Sequence, residues 1–202
     1  MKILAVERMA AEWPAAVSSA LVSPEVAMPD CVGVTLMTDS AAVRRGMPMF
    51  IPDFAIGWEL EVLPFFTVGR LGKSIPPRFA GRYLDGWGVA VRAVPGQPTP
   101  GAAGMVAGAL AVNFDGALAA GDKFPVDLMC AADIEAEGAG SIRLTPEDMH
   151  VADTVSLISR YMMLKTGDMI LPCRTGLRVP VKLDTRLVCR LNGVPALSLK
   201  IK

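Results

Sequence analysis

The chain has 202 residues, enough for one domain with a sizeable core, and 52% of them are apolar. Lysine plus arginine and aspartate plus glutamate balance at 20 each, so the total charge favours neither nucleic acid nor an anionic membrane as a partner. Four scattered cysteines without a C-x-x-C spacing, and a single histidine, suggest neither a disulfide framework nor a zinc site.

The first apolar run is broken by charge too early for a signal peptide, and residues 101–112 are too few and too glycine-rich to cross a bilayer, so a reducing cytoplasmic setting is expected. Residues 2–6 alternate weakly and read as an edge strand. Residues 9–22 read as helical on either side of Pro14. The β-branched run at 32–37 is a strand, and residues 44–48 form a turn. Residues 58–63 and 65–68 read as two strands, with Pro64 between them at an edge or bulge.

Pro76 and Pro77 open a helical turn over 78–84, because proline suits the first helical positions. A strand is expected at 88–94, a loop at 95–101 and a further strand at 126–134; residues 93–114 hold no ionisable side chain. Thr145 is a helix N-cap, with Pro146 at the first position and Glu147 and Asp148 in the first turn. Val151, Val155, Ile158 and Met162 then recur at helical spacing, and the lone His150 takes a capping or surface role. Gly167-Asp168 turns the chain into a strand at 169–171. A final hairpin pairs 187–191 with 196–202 around Asn192-Gly193, a type I′ signal, with Leu197, Leu199 and Ile201 on one face. Many short strands, one good helix and tight turns argue a single domain of the α+β class, mainly β.

Glu59 and Glu61 are the candidate functional pair. The period of two puts both on one strand face and Trp58, Leu60 and Val62 on the other. Adjacent like charges need something positive between them, and a hard divalent cation held by oxygens is the usual answer; the alternative, commoner for an isolated E-x-E, is a solvated strand face with two ordinary acids. Other candidates carry less. Cys173 beside Arg174 could be a low-pKa thiol, but a buried inert cysteine is the commoner outcome, and Leu71-Gly-Lys-Ser lacks the glycine spacing of a phosphate loop.

Phe50-Ile-Pro-Asp-Phe54, Glu59-Leu-Glu61, Leu71-Gly-Lys-Ser-Ile75 with Arg78-Phe-Ala80 and Tyr83, and Leu164-Lys-Thr-Gly-Asp-Met-Ile170 follow one another in order. That series resembles the short single-domain form of the fumarylacetoacetate hydrolase family over roughly residues 32–202, with 1–31 least alike. The resemblance implies a mixed β-sheet roll with few helices, a homodimer, and a magnesium or manganese ion polarising a small 2-oxo acid or acylpyruvate. The ion's ligands would be Glu59, Glu61 and an aspartate on a later strand.

Gly88-Val-Ala-Val-Arg-Ala-Val94 falls where the family has Gly-Ile-Asp-Phe-Thr-Ala-Arg-Asp, which sets Ala90 at the third ligand. The family's supporting lysine is missing, since none occurs between Lys73 and Lys123. Arg174 stands near the threonine of a Gly-Thr-Pro loop, and Thr38 and Asp39 replace an early Lys-Pro pair. Asp85 is a conceivable substitute ligand. Arg174, or Arg92 on the neighbouring strand, is expected to neutralise Glu59 and Glu61 where the metal would sit, or to bind substrate; the alternative for Arg174 is a solvated position on a loop. The expected function is a family protein with an eroded metal site, acting as a binding or structural subunit or as a partner of an active paralogue. The alternative is a working divalent-metal-dependent hydrolase, decarboxylase or tautomerase.

Overall fold

The computed structural model describes residues 1–8, 32–98, 108–128 and 130–202. The strands, in chain order, are β1 (Ile3–Val6), β2 (Val34–Met37), β3 (Ala55–Ile56), β4 (Glu59–Val68), β5 (Leu84–Val94), β6 (Gln97–Pro98), β7 (Leu118–Ala120), β8 (Ala132–Ala136), β9 (Gly140–Leu144), β10 (Met169–Leu171), β11 (Arg178–Pro180), β12 (Arg186–Leu191) and β13 (Val194–Lys200). Two α-helices, α1 (Pro146–Met149) and α2 (Val151–Tyr161), and a 3-10 segment at Pro77–Tyr83 supply most of the helix. The architecture is mainly β with few helices.

The larger sheet runs β2-β1-β10-β4-β5-β7, with β11 also on β4; the smaller runs β13-β12-β8-β9. One face of the larger sheet carries Leu60, Val62, Phe66, Val89 and Val91 into a core shared with Ile134, Leu187 and Leu191 of the smaller sheet and with Val151, Val155 and Ile158 of α2. Phe66 stacks on Trp87 with ring centroids 5.7 Å apart. The opposite face carries a second, smaller cluster that includes Ile3, Ala5, Leu63, Phe65, Ala90 and Leu171.

Several expectations need correction. Residues 3–6 are not an edge strand: β1 lies between β2 and β10, parallel to β10, and all four of its side chains are buried. An unbroken apolar run such as Ile-Leu-Ala-Val is what a strand covered on both faces requires. Pro64 does not separate two strands but sits inside β4. The Val62 N–H points away from β5 to the Leu177 carbonyl (2.9 Å), so Pro64, two residues on, turns its missing donor the same way. There β10 pairs with Phe66 and Thr67, β11 with residues 59–61, and the ladder between them is open, so the absent N–H costs nothing.

The strand expected at 126–134 begins only at Ala132, and it pairs with β9, a strand that carries no marked sequence signal. The helix expected at 9–22 and most of the loop at 95–101 lie outside the described residues; Gln97 and Pro98 form β6 on β3.

Thr145 forms a capping box with Asp148, as the local pattern predicts. The helix then breaks at His150, whose φ of +45° places it in the left-handed region between α1 and α2. Asn192 and Gly193, at φ +50° and +77°, make the tight turn of the last hairpin, whose register shifts at Cys189/Arg190.

Candidate functional site

Glu61 lies opposite Arg92, and Leu63 opposite Ala90, in the antiparallel β4–β5 ladder, so all four share one face of the sheet. Glu59 is on that face too, while Leu60 and Val62 are buried on the other. The two glutamates differ in depth: Glu61 is fully buried, whereas the Glu59 side chain is 40% exposed.

A chain of charge-assisted hydrogen bonds surrounds Glu61. Arg92, only 3% exposed, donates from Nη2 to Glu61 Oε2 at 2.9 Å. The same guanidinium donates to both oxygens of Glu7, from Nη1 to Oε1 at 2.7 Å and from Nη2 to Oε2 at 3.1 Å. Arg174 Nε donates to Glu61 Oε1 at 2.8 Å. Two carboxylates and two guanidiniums thus alternate as Glu7, Arg92, Glu61 and Arg174, with no net charge. Glu59 is held apart by Arg178 Nη1 at 2.7 Å.

Local structure explains each placement. Glu7 follows directly on β1, and its N–H donates to the Gly33 carbonyl (2.9 Å). Arg174 follows β10, which runs parallel beside β1, and its N–H donates to the Arg8 carbonyl at 2.7 Å, fixing the loop against the strand extension. Thr175 Oγ1 then donates to the Val62 carbonyl at 2.5 Å and accepts from the Leu177 N–H, steering the chain into β11 and placing Arg178 opposite Glu61 in register.

Electrostatics follow the same pairing. Burial alone would raise the Glu7 carboxyl, but the hydrogen bonds and charge of Arg92 outweigh it and hold Glu7 below its ordinary value. Burial alone would lower Arg92, yet Glu7 and Glu61 together push it up. The Arg92 Nε is buried and has no partner among the described residues.

Other candidate residues stand elsewhere. Ala90 is fully buried between Leu63 and Ala120 and offers no donor atom. Asp85 accepts from Thr67 Oγ1 at 2.5 Å. Thr67 is six residues along β4 from Glu61, roughly 20 Å at the strand rise, so Asp85 cannot complete a site with Glu61. Thr38 donates from its backbone to Asn113 Oδ1 (3.0 Å). Cys173 is not an activated thiol: burial, aided by the charges of Asp148 and Glu61, pushes it up to about 12. A cleft of about 300 Å³ lies between residues 43–47, the end of β7 and β13, and none of Glu59, Glu61, Arg92 or Arg174 lines it.

These residues do not fit a divalent cation. Both Glu61 oxygens accept from guanidinium, Glu59 is paired at the surface, and Ala90, where the resemblance would set a third ligand, has no donor atom. Among the described residues no three His, Cys, Asp or Glu side chains gather as a metal site.

No protein-family model and no curated protein matches the sequence. Solved structures do match. Fumarylpyruvate hydrolase from Pseudomonas aeruginosa, in complex with Mn2+ and pyruvate, superposes with a TM-score of 0.74 at 17% identity over 100% of this chain and 89% of that one. A protein from Yersinia pestis CO92, provisionally placed in the fumarylacetoacetate hydrolase family, gives 0.73 at 20% identity, covering 100% and 92%. The 2-hydroxyhepta-2,4-diene-1,7-dioate isomerase of Mycobacterium marinum gives 0.74 at 17%, covering 99% and 73%. The chain has the fold of the fumarylacetoacetate hydrolase family.

Proposed function

We propose that this protein is a fumarylacetoacetate-hydrolase-family member in which arginines have taken over the metal's electrostatic role, leaving a non-catalytic or weakly active binding or structural subunit. One observation carries the reading: each oxygen of the buried Glu61 accepts a hydrogen bond from a different guanidinium, Arg92 on one side and Arg174 on the other. A planar cation with paired donors suits carboxylates and supplies the charge that a dication would otherwise bring. It also occupies the lone pairs that a dication would need. In this reading the guanidinium of Arg174, 25% exposed, also meets a small carboxylate such as a 2-oxo acid. In this reading the protein works as a homodimer or beside an active paralogue.

The second reading, a divalent-metal-dependent hydrolase, decarboxylase or tautomerase acting on a small 2-oxo acid, draws on the Mn2+ and pyruvate present in the Pseudomonas aeruginosa enzyme of the same fold. Calorimetric titration with magnesium and manganese, paired with assays of acylpyruvate hydrolysis and oxaloacetate decarboxylation, separates the two. The arginine reading expects no micromolar metal binding and no metal-stimulated turnover. Micromolar binding with turnover would establish the enzyme. Sedimentation equilibrium tests the dimer.

A further inference from the structure

The balanced total charge conceals a local excess of cations, bordered at Gly69 by the half-exposed Asp85, which pairs with Lys123. Residues 69–83 and 160–167 contain Arg70, Lys73, Arg78, Arg82, Arg160 and Lys165 and not one acid. The two segments lie side by side: Gly72 and Leu164 exchange both backbone hydrogen bonds (3.0 and 2.9 Å), the Ser74 N–H donates to the Ser159 carbonyl, and Thr166 Oγ1 donates to the Gly69 carbonyl. None of Arg70, Lys73, Arg78, Arg82 and Lys165 pairs with a carboxylate among the described residues.

The outward face of this ribbon follows from its inward face. Leu164 is fully buried, and a Cβ on Gly72 would stand 2.5 Å from the Tyr83 ring, so both positions point into the protein. Their flanking neighbours therefore point out, Leu71 across from Lys165 and Lys73 across from Met163. Leu71 is 58% exposed and Met163 43%, and Tyr161, whose carbonyl accepts from Lys73 Nζ, is 78% exposed. On the 3-10 segment that follows residues 69–76, Arg78 and Arg82 each rest over the Phe79 ring at 4.8 Å, which orders both guanidiniums without neutralising them.

We infer that this face docks on an anionic phospholipid surface, a role independent of how Glu61 is used. The ammonium and guanidinium groups meet lipid phosphates while Leu71, Met163 and Tyr161 enter the boundary with the acyl chains. A second copy related by a twofold axis would set cation against cation. A nucleic acid backbone gains nothing from Leu71 and Met163. A protein partner would have to match the alternating charged and apolar positions with its own, whereas a fluid bilayer adapts to them.

The test is co-sedimentation with vesicles of 30% phosphatidylserine in phosphatidylcholine, beside vesicles of phosphatidylcholine alone. Binding is expected only to the first, weakening as salt rises. Each surface cation contributes about fivefold, so Lys73→Ala with Lys165→Ala should lower partitioning about 25-fold. Leu71→Ser with Tyr161→Ser should weaken binding and leave its salt dependence in place. Circular dichroism confirms that these surface variants stay folded. The inference fails if serine vesicles capture no protein, if both vesicle types bind alike, or if the variants partition like the parent. It also fails if a glutamate-rich peptide or an RNA oligonucleotide, and not the vesicles, binds in a Lys73- and Lys165-dependent way.

Discussion

Arg92→Ala is the sharpest probe of the buried charge network. Its guanidinium makes three hydrogen bonds to two carboxylates while only 3% exposed. Truncation leaves Glu61 fully buried with the hydrogen bond from Arg174 in place, while the partly exposed Glu7 regains water. Removing one member of a buried pair costs about 3–5 kcal/mol. For a chain of this length each kcal/mol moves the melting midpoint about 2–4 °C, so Tm should drop by roughly 6–20 °C. The companion variant Arg92→Leu with Glu61→Leu removes both charges together and should recover most of the loss, because no buried ion is then left unpaired. Urea unfolding at pH 7 reads both, and an unchanged denaturant slope shows that stability alone moved. If Arg92→Ala costs less than about 1 kcal/mol, or if the double variant costs as much as its two single variants added, the network is not what holds Glu61 in place.

Arg174→Ala should cost less, about 1–3 kcal/mol by thermal melt, since at 25% exposure water can reach the site it vacates, and metal content should not change. Arg92 Nη2 sits 3.1 Å from Glu7 Oε2 and 2.9 Å from Glu61 Oε2, so Arg92→Ser should leave two facing acids; 1 mM Mn2+ is then expected to raise the Tm of that variant and not of the parent. Burial would raise the Asp168 carboxyl, but the Lys2 ammonium and the N–H groups of Lys165 and Lys2 hold it below its ordinary value. Its contribution is therefore complete above the unfolded value of about 3.9 and is lost as pH falls through the lower folded value, so the stability gap between parent and Asp168→Asn should narrow in acid titrated by fluorescence. Thr145→Ala breaks the capping box and should cost about 1 kcal/mol in the same melt.

Local chemistry made part of this molecule legible. Thr145-Pro-Glu-Asp announces its helix because every group in the cap lies within four residues, and Asn192-Gly193 announces its turn because both positions need positive φ. The alternation around Glu59 and Glu61 is likewise local, so their shared face could be read directly. What could not be read is depth and long-range pairing. Nothing near Glu59 says that it ends at the surface on Arg178 while Glu61 is sealed in. Glu7 lies 85 residues from Arg92, and the only trace of its role was a charge ending the first apolar run. Pro64 misled for a related reason: its cost depends on whether a neighbour needs its N–H, and the gap between β10 and β11 appears only in the assembled sheet. The order of β1 within the sheet is set by β10, more than 160 residues away.

The cross-strand pair Glu61–Arg92 has a consequence for how the two longest strands find their alignment. Sliding β4 by a single residue against β5 would carry Glu61 into the apolar layer now filled by Leu60 and Val62 and would leave Arg92 facing a hydrocarbon. Neighbouring alignments of these valine-rich strands are similar in greasiness, so hydrophobic contact alone separates them poorly. The ionic pair therefore works as an error check on strand pairing, and its all-leucine replacement should trade that check for comparable stability with a less uniform native state.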